Sequence, residues 1–115
     1  MAVTIYHNPR CTKSRETLKL LQSKGVDLEI IEYLKTPPDA KTLAGILDEL
    51  GMEPRDLMRT KEPPYKANKL DNPKLTRKQL IDAMVADPVL IERPIVLFNG
   101  KAALGRPPEA VLKIL

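Results

Sequence analysis

The 115-residue sequence contains one cysteine, so no disulfide can close within the chain, and a lone thiol fits a reducing compartment. Aromatic side chains are nearly as scarce: Tyr6, Tyr33, Tyr65 and Phe98 are the whole set. Single-stranded nucleic acid, which is gripped by stacking bases on aromatic rings, therefore has little to hold. No apolar run approaches the ~18–20 residues that cross a bilayer. The chain also enters the strand-like Val3-Thr4-Ile5-Tyr6 without a basic and then apolar leader. These absences lead us to expect a cytoplasmic protein with neither a membrane nor a nucleic acid as partner; a monomer is expected by default. Repeats and low-complexity segments are missing as well. What is present is an ordinary globular composition, 43% hydrophobic and 30% charged, at a length typical of one domain. The net charge is +4. Lys and Arg interleave with Asp and Glu, which reads mostly as solvated surface and leaves a small-anion site open.

Thr4 to Tyr6 reads as a strand stopped by Asn8-Pro9. A helix follows from about Cys11 to Lys24, with Leu18 and Leu21 on one face and Gly25 as its stop. Leu28 to Leu34 reads as a second strand, so the segment is a βαβ unit with its strands parallel. Thr36 is expected to cap a helix entered through Pro37, with Leu43, Ile46, Leu47 and Leu50 at i, i+3, i+4 and i+7 before Gly51. Next come a short helix from Glu53-Pro54 to Arg59 and a polar loop from Thr60 to Pro73. A capping box, Thr76 with Gln79, then opens a helix carrying Leu80, Ile81, Met84 and Val85. Ile95–Phe98 and Lys101–Leu104 flank Asn99-Gly100, a strong signal for a two-residue antiparallel hairpin. Pro107-Pro108 opens a last helix with an expected stripe of Val111, Leu112 and Leu115.

The order βαβ, helical block, ββα implies an α/β chain of thioredoxin-like fold. It has a four-stranded mixed sheet in one domain, residues 1–115, with a helical insertion at about 37–90. Domains of this layout carry a cis-proline before the third strand, and Arg93-Pro94 stands directly before Ile95.

Cys11 falls where the loop after the first strand meets the first helix, beside unpaired backbone N–H groups and the positive end of the helix dipole. Arg10, Lys13 and Arg15 add charge nearby. Such surroundings stabilise a thiolate, the nucleophilic form, whereas a cysteine elsewhere is more often a small buried residue. The motif is Cys11-Thr12-Lys13-Ser14, with serine where a dithiol oxidoreductase has its second cysteine. A redox cycle would therefore take its second thiol from outside, glutathione being the natural supplier.

Tyr6-His7-Asn8-Pro9-Arg10-Cys11-Thr12-Lys13-Ser14-Arg15 resembles the active-site loop of the glutaredoxin-coupled arsenate reductase family. Tyr33-Leu34, Pro37-Pro38, Leu57-Met58-Arg59, Glu92-Arg93-Pro94-Ile95-Val96 and Gly105-Arg106-Pro107 extend the resemblance, in order, over essentially the whole chain. It implies that Cys11 is the nucleophile, with His7, Ser14 and Arg15 beside it as catalytic residues. Arg59, Arg93 and Arg106 would contact the oxyanion through charge-assisted, forked hydrogen bonds. It also implies that His7 helps hold the thiolate; a structural hydrogen-bonding role for a lone histidine is the alternative. Ser14 could cap the helix, donate to the sulfur, or both. The implied substrate is arsenate or a similar oxyanion, the implied partners are glutathione as co-substrate and glutaredoxin, and neither a bound cofactor nor a metal is expected. A different class is represented by Spx-type regulators of the same fold, but those carry a Cys-x-x-Cys switch that is absent here. A redox-sensing binding module without turnover is a third possibility, and the three arginines favour an anion-processing enzyme over both.

Overall fold

The computed structural model describes residues 2–115. The chain divides into two compact units, one formed by residues 1–36 with 93–115 and the other by residues 37–92.

The first unit holds β1 (Val3–His7), α1 (Thr12–Ser23), β2 (Leu28–Glu32), β3 (Ile95–Phe98) and β4 (Lys101–Leu104). Its described strands form one mixed sheet in the order β2-β1-β3-β4, which is the thioredoxin-like arrangement. β1 and β2 are parallel, as a helical crossover between them requires, and β3 is antiparallel to both β1 and β4. One face of the sheet is closed by a cluster of Val3, Ile5, Leu21, Val96 and Val111, with Leu18, Leu28, Phe98 and Ile114 packed against it. The inward stripe of α1 runs Ser14, Thr17, Leu18, Leu21. It is apolar where it meets the core and hydroxylated toward Cys11.

Three strand registers bring the ends of the strands together. Pairing of His7 with Glu32 closes the β1–β2 ladder. Pairing of Tyr6 with Ile95 sets Pro94 and Arg93 beside the residues that follow β1. Pairing of Ile95 with Leu104 sets Gly105 and Arg106 beside Pro94 and Arg93, and Gly105 N–H donates to the Pro94 carbonyl at 2.9 Å. The Arg93-Pro94 peptide is cis, as is Arg106-Pro107.

At Asn99-Gly100 both residues have positive φ, 53° and 74°, the pairing a type I′ hairpin turn demands. Gly105 is needed for a different reason. A Cβ there would stand 2.7 Å from Pro94 Cγ and closer still to Thr17 Oγ1. Gly105→Ala should therefore cost about 1–3 kcal/mol, the usual penalty for overpacking. Urea unfolding should show a lower midpoint at unchanged slope, and an unchanged midpoint would contradict the close approach.

The second unit contains α2 (Ala40–Leu50), α3 (Pro63–Ala67) and α4 (Arg77–Ala86), with short 3₁₀ turns at Pro54–Leu57 and Pro88–Leu90. α2 packs on α4, burying Leu43, Ile46 and Leu47 from one and Leu80, Ile81 and Met84 from the other. The capping box at α4 is present: Thr76 Oγ1 accepts from Gln79 N–H at 3.1 Å, and Gln79 Oε1 from Thr76 N–H at 2.8 Å.

Several boundaries differ from the sequence expectation. The cap of α2 is Asp39, whose carboxylate accepts from Thr42 N–H at 2.7 Å, not Thr36. Pro37 precedes Pro38, and a residue before proline is driven out of the helical region, so the helix begins later. The expected polar loop from Thr60 to Pro73 contains α3, entered through Pro63-Pro64. β2 stops at Glu32, before Leu34. The last segment, Pro108–Ile114, is a 3₁₀ helix. Its period of three buries Pro108 and Val111 and packs Ile114 on the core, while Leu115 is exposed. Among the described residues no helix is long and apolar enough to cross a membrane.

Candidate active site

The loop between β1 and α1 is a proline turn. Cys11 N–H donates to the Asn8 carbonyl at 3.0 Å, and Arg10 N–H to Asn8 Oδ1 at 3.0 Å. Asn at the first position and Pro at the second suit such a turn. Arg15 reaches back over it, donating from Nη1 to the Pro9 carbonyl at 2.9 Å and from Nη2 to Thr12 Oγ1 at 3.3 Å. The guanidinium clamps the loop onto the first turn of α1. Cys11 itself is the N-cap residue, with extended backbone and no side-chain capping bond, and its side chain is largely buried.

Burial pushes the Cys11 thiol up, since it disfavours the charged form. The Ser14 N–H, the Arg93 charge, the Lys13 N–H and a hydrogen bond from the Arg93 side chain together outweigh it, and the thiol lies below its ordinary value. The helix N-terminus and one guanidinium from the segment before β3 thus share the work. Arg106 stands next to that guanidinium's backbone, with Nη1 3.4 Å from the Arg93 carbonyl.

Ser14 does not cap α1. It sits inside the first turn, fully buried, where its hydroxyl accepts from Asn8 N–H at 3.0 Å and pairs with His7 Nδ1 at 2.6 Å. The cap position lies three residues earlier, and the Ser14 side chain points back to the end of β1. His7 therefore touches Ser14, and it is the Ser14 backbone N–H that acts on Cys11. Burial lowers the His7 pKa, the Glu32 charge opposes this and the Arg15 charge adds to it, leaving the ring below its usual value and neutral at pH 7. Glu32 was not singled out from sequence. From sequence β2 is expected to run on to Leu34, and only the observed register, with both strands ending together, places Glu32 beside His7.

Thr17 supports the same corner from inside, its hydroxyl donating to the Lys13 carbonyl at 2.8 Å with the Gly105 carbonyl at 3.5 Å. No group of three or more His, Cys, Asp or Glu side chains placed to hold a metal occurs among the described residues.

A thiol of lowered pKa thus stands at a helix N-terminus after β1, with one arginine before a cis-proline and a second arginine after the hairpin. A model of the ArsC family matches residues 6–114. This chain belongs to the ArsC family. It is similar to the uncharacterized protein YfgD of Escherichia coli strain K12, 57% identical over 98% of this chain and 96% of the relative. The arsenate reductase of Haemophilus influenzae is 48% identical, with both chains covered completely. Among solved structures, an arsenate reductase from Vibrio cholerae superposes with a TM-score of 0.96 at 50% identity, covering 100% of this chain and 98% of that one.

Within this ArsC chain, His7, Cys11, Ser14, Arg15, Arg93 and Arg106 all belong to the unit that carries the sheet, at the end where β1 runs into α1. Arg59 belongs to the other unit. There an antiparallel bridge between Met58 and Ile91 fixes the backbone: Arg59 N–H donates to the Leu90 carbonyl and Glu92 N–H to the Leu57 carbonyl, each at 2.7 Å. The Arg59 side chain pairs with Glu62 at 2.7 Å and lies 4.0 Å from Glu92.

Proposed function

We propose that this protein reduces arsenate to arsenite through the Cys11 thiolate, with glutathione and glutaredoxin supplying the electrons in a reducing cytoplasm. The observation that carries the reading is the hydrogen bond and charge of Arg93 on a thiol already facing the Lys13 and Ser14 N–H groups. The same donors that stabilise sulfur anion can hold the oxygens of a bound oxyanion. Family membership and relatives named arsenate reductase point to the same chemistry.

In this reading Arg93 and Arg106 bind the anion, and Cys11 displaces one arsenate oxygen, which leaves as water after protonation. A glutathione sulfur then bonds to the Cys11 sulfur as the sulfur–arsenic bond breaks. The electron pair stays on arsenic, which departs as arsenite. The two sulfurs are left as a mixed disulfide, which glutaredoxin reduces to return the Cys11 thiol. One thiol comes from the protein and one from solution because Ser14 occupies the place of a second cysteine. Phosphate, of like shape and charge, should compete without being reduced.

The test is arsenite formation by the native protein, with glutathione and glutaredoxin supplied together, singly or not at all. Turnover that requires both supports the proposal. No turnover from folded protein with a reactive Cys11 would overturn it.

A further inference from the structure

A cleft of about 370 Å³ opens beside the loop, between the end of β1 and the segment that follows β2. Its walls include His7, Asn8, Arg10, Glu32, Leu34 and Lys35. The size lies within the range of small-molecule sites. Its charge pattern is specific: His7 is neutral at pH 7, which leaves two cations, Arg10 and Lys35, and one carboxylate, Glu32. Lys35 Nζ lies 3.6 Å from Glu32 in an exposed pair, a contact that costs little to exchange for another. Arg10 immediately precedes Cys11, so one lip of the cleft is a single Cα step, about 3.8 Å, from the nucleophile's backbone.

We propose that this cleft is the docking subsite for glutathione, the thiol that resolves Cys11; the inference rests on the reading of glutathione as reductant. At neutral pH glutathione carries two carboxylates and one ammonium group. The complementary set, two cations and one carboxylate, lines the cleft. Arg10 and Lys35 take the carboxylates, the first with a planar fork and the second as a mobile point charge, and Glu32 takes the ammonium. A tripeptide spans roughly 10 Å when extended, so a molecule anchored here reaches Cys11 with its sulfur.

The experiment avoids arsenate. The Cys11 thiolate attacks glutathione disulfide, forming a mixed disulfide with one glutathione and releasing the other as thiolate. Its rate is divided by the rate with bis(2-hydroxyethyl) disulfide, an uncharged probe, which removes any change in the reactivity of Cys11 itself. Arg10→Gln with Lys35→Gln, both on exposed side chains, should lower this ratio about tenfold, the loss of two exposed ionic contacts. Lys19→Gln with Lys24→Gln removes the same charge outside the cleft and should leave the ratio at the native value. An unchanged ratio in the cleft variant, or an equal fall in both, would overturn the subsite. Glutathione-dependent arsenite formation would then still stand or fall by its own assay.

Discussion

Cys11→Ser should reduce arsenite formation by at least about 10⁴-fold, because the hydroxyl neither ionises at neutral pH nor forms the disulfide that carries the electrons away. Initial rates with the complete thiol system measure this, and thermal unfolding confirms that the variant is folded. Residual turnover within tenfold of native would remove the sulfur from the redox chemistry. The substitution should also change how stability depends on pH. The folded thiol titrates below its ordinary value, so its ionisation favours the folded state. That contribution is complete above the unfolded thiol's pKa, near ~8.5, and is lost as pH falls through the folded value. The native protein should therefore gain stability relative to Cys11→Ser as pH rises through this window.

Arg93→Ala should be the next most damaging change, because one side chain serves two tasks. It supplies both charge and a hydrogen bond to the Cys11 sulfur, and in the proposed mechanism it also holds the oxyanion. Losing a preorganised, charged donor costs about 10²–10³-fold in kcat/KM. The accompanying signature is ionic: with Arg93 gone, burial weighs more heavily and the thiol pKa rises. The pH midpoint of iodoacetamide alkylation at Cys11 should move upward. Rates at pH 6 should fall, and rates well above both midpoints should converge. Arg93→Lys keeps the charge but not the fork, so it should restore most of the midpoint and less of the turnover. An unmoved midpoint in Arg93→Ala would separate Arg93 from the thiol.

The secondary structure was legible where local physics dominates. The hairpin followed from Asn99-Gly100 because few other pairs tolerate two positive φ values in succession, and the box at Thr76 and Gln79 followed because both partners lie within one helical turn. Two proline pairs misled the reading of the helical segments they introduce. Pro37-Pro38 delayed α2 until Asp39 could cap it, and Pro107-Pro108 opened a 3₁₀ turn whose period faces Ile114, not Leu115, toward the core.

The sequence by itself determined the position of Cys11, since a cysteine that follows a strand and a proline turn and heads a helical stretch stands at that helix's N-terminus. It also determined that any two-thiol redox cycle would draw its second thiol from elsewhere, because the chain has no other cysteine. Tertiary structure decided what surrounds the sulfur. Arg93 is 82 positions from Cys11 in number but is brought to it by the Tyr6–Ile95 register, and Glu32 comes to His7 by the register of β1 on β2. Ser14 was visible as a neighbour of Cys11, yet its hydroxyl serves His7 and Asn8 while its backbone serves the thiolate. Spacing along a chain fixes which groups can share a helix turn. Which groups meet across a sheet depends on strand pairing, and outside the Asn99-Gly100 hairpin, whose register a local turn sets, pairing is fixed by burial of the whole face.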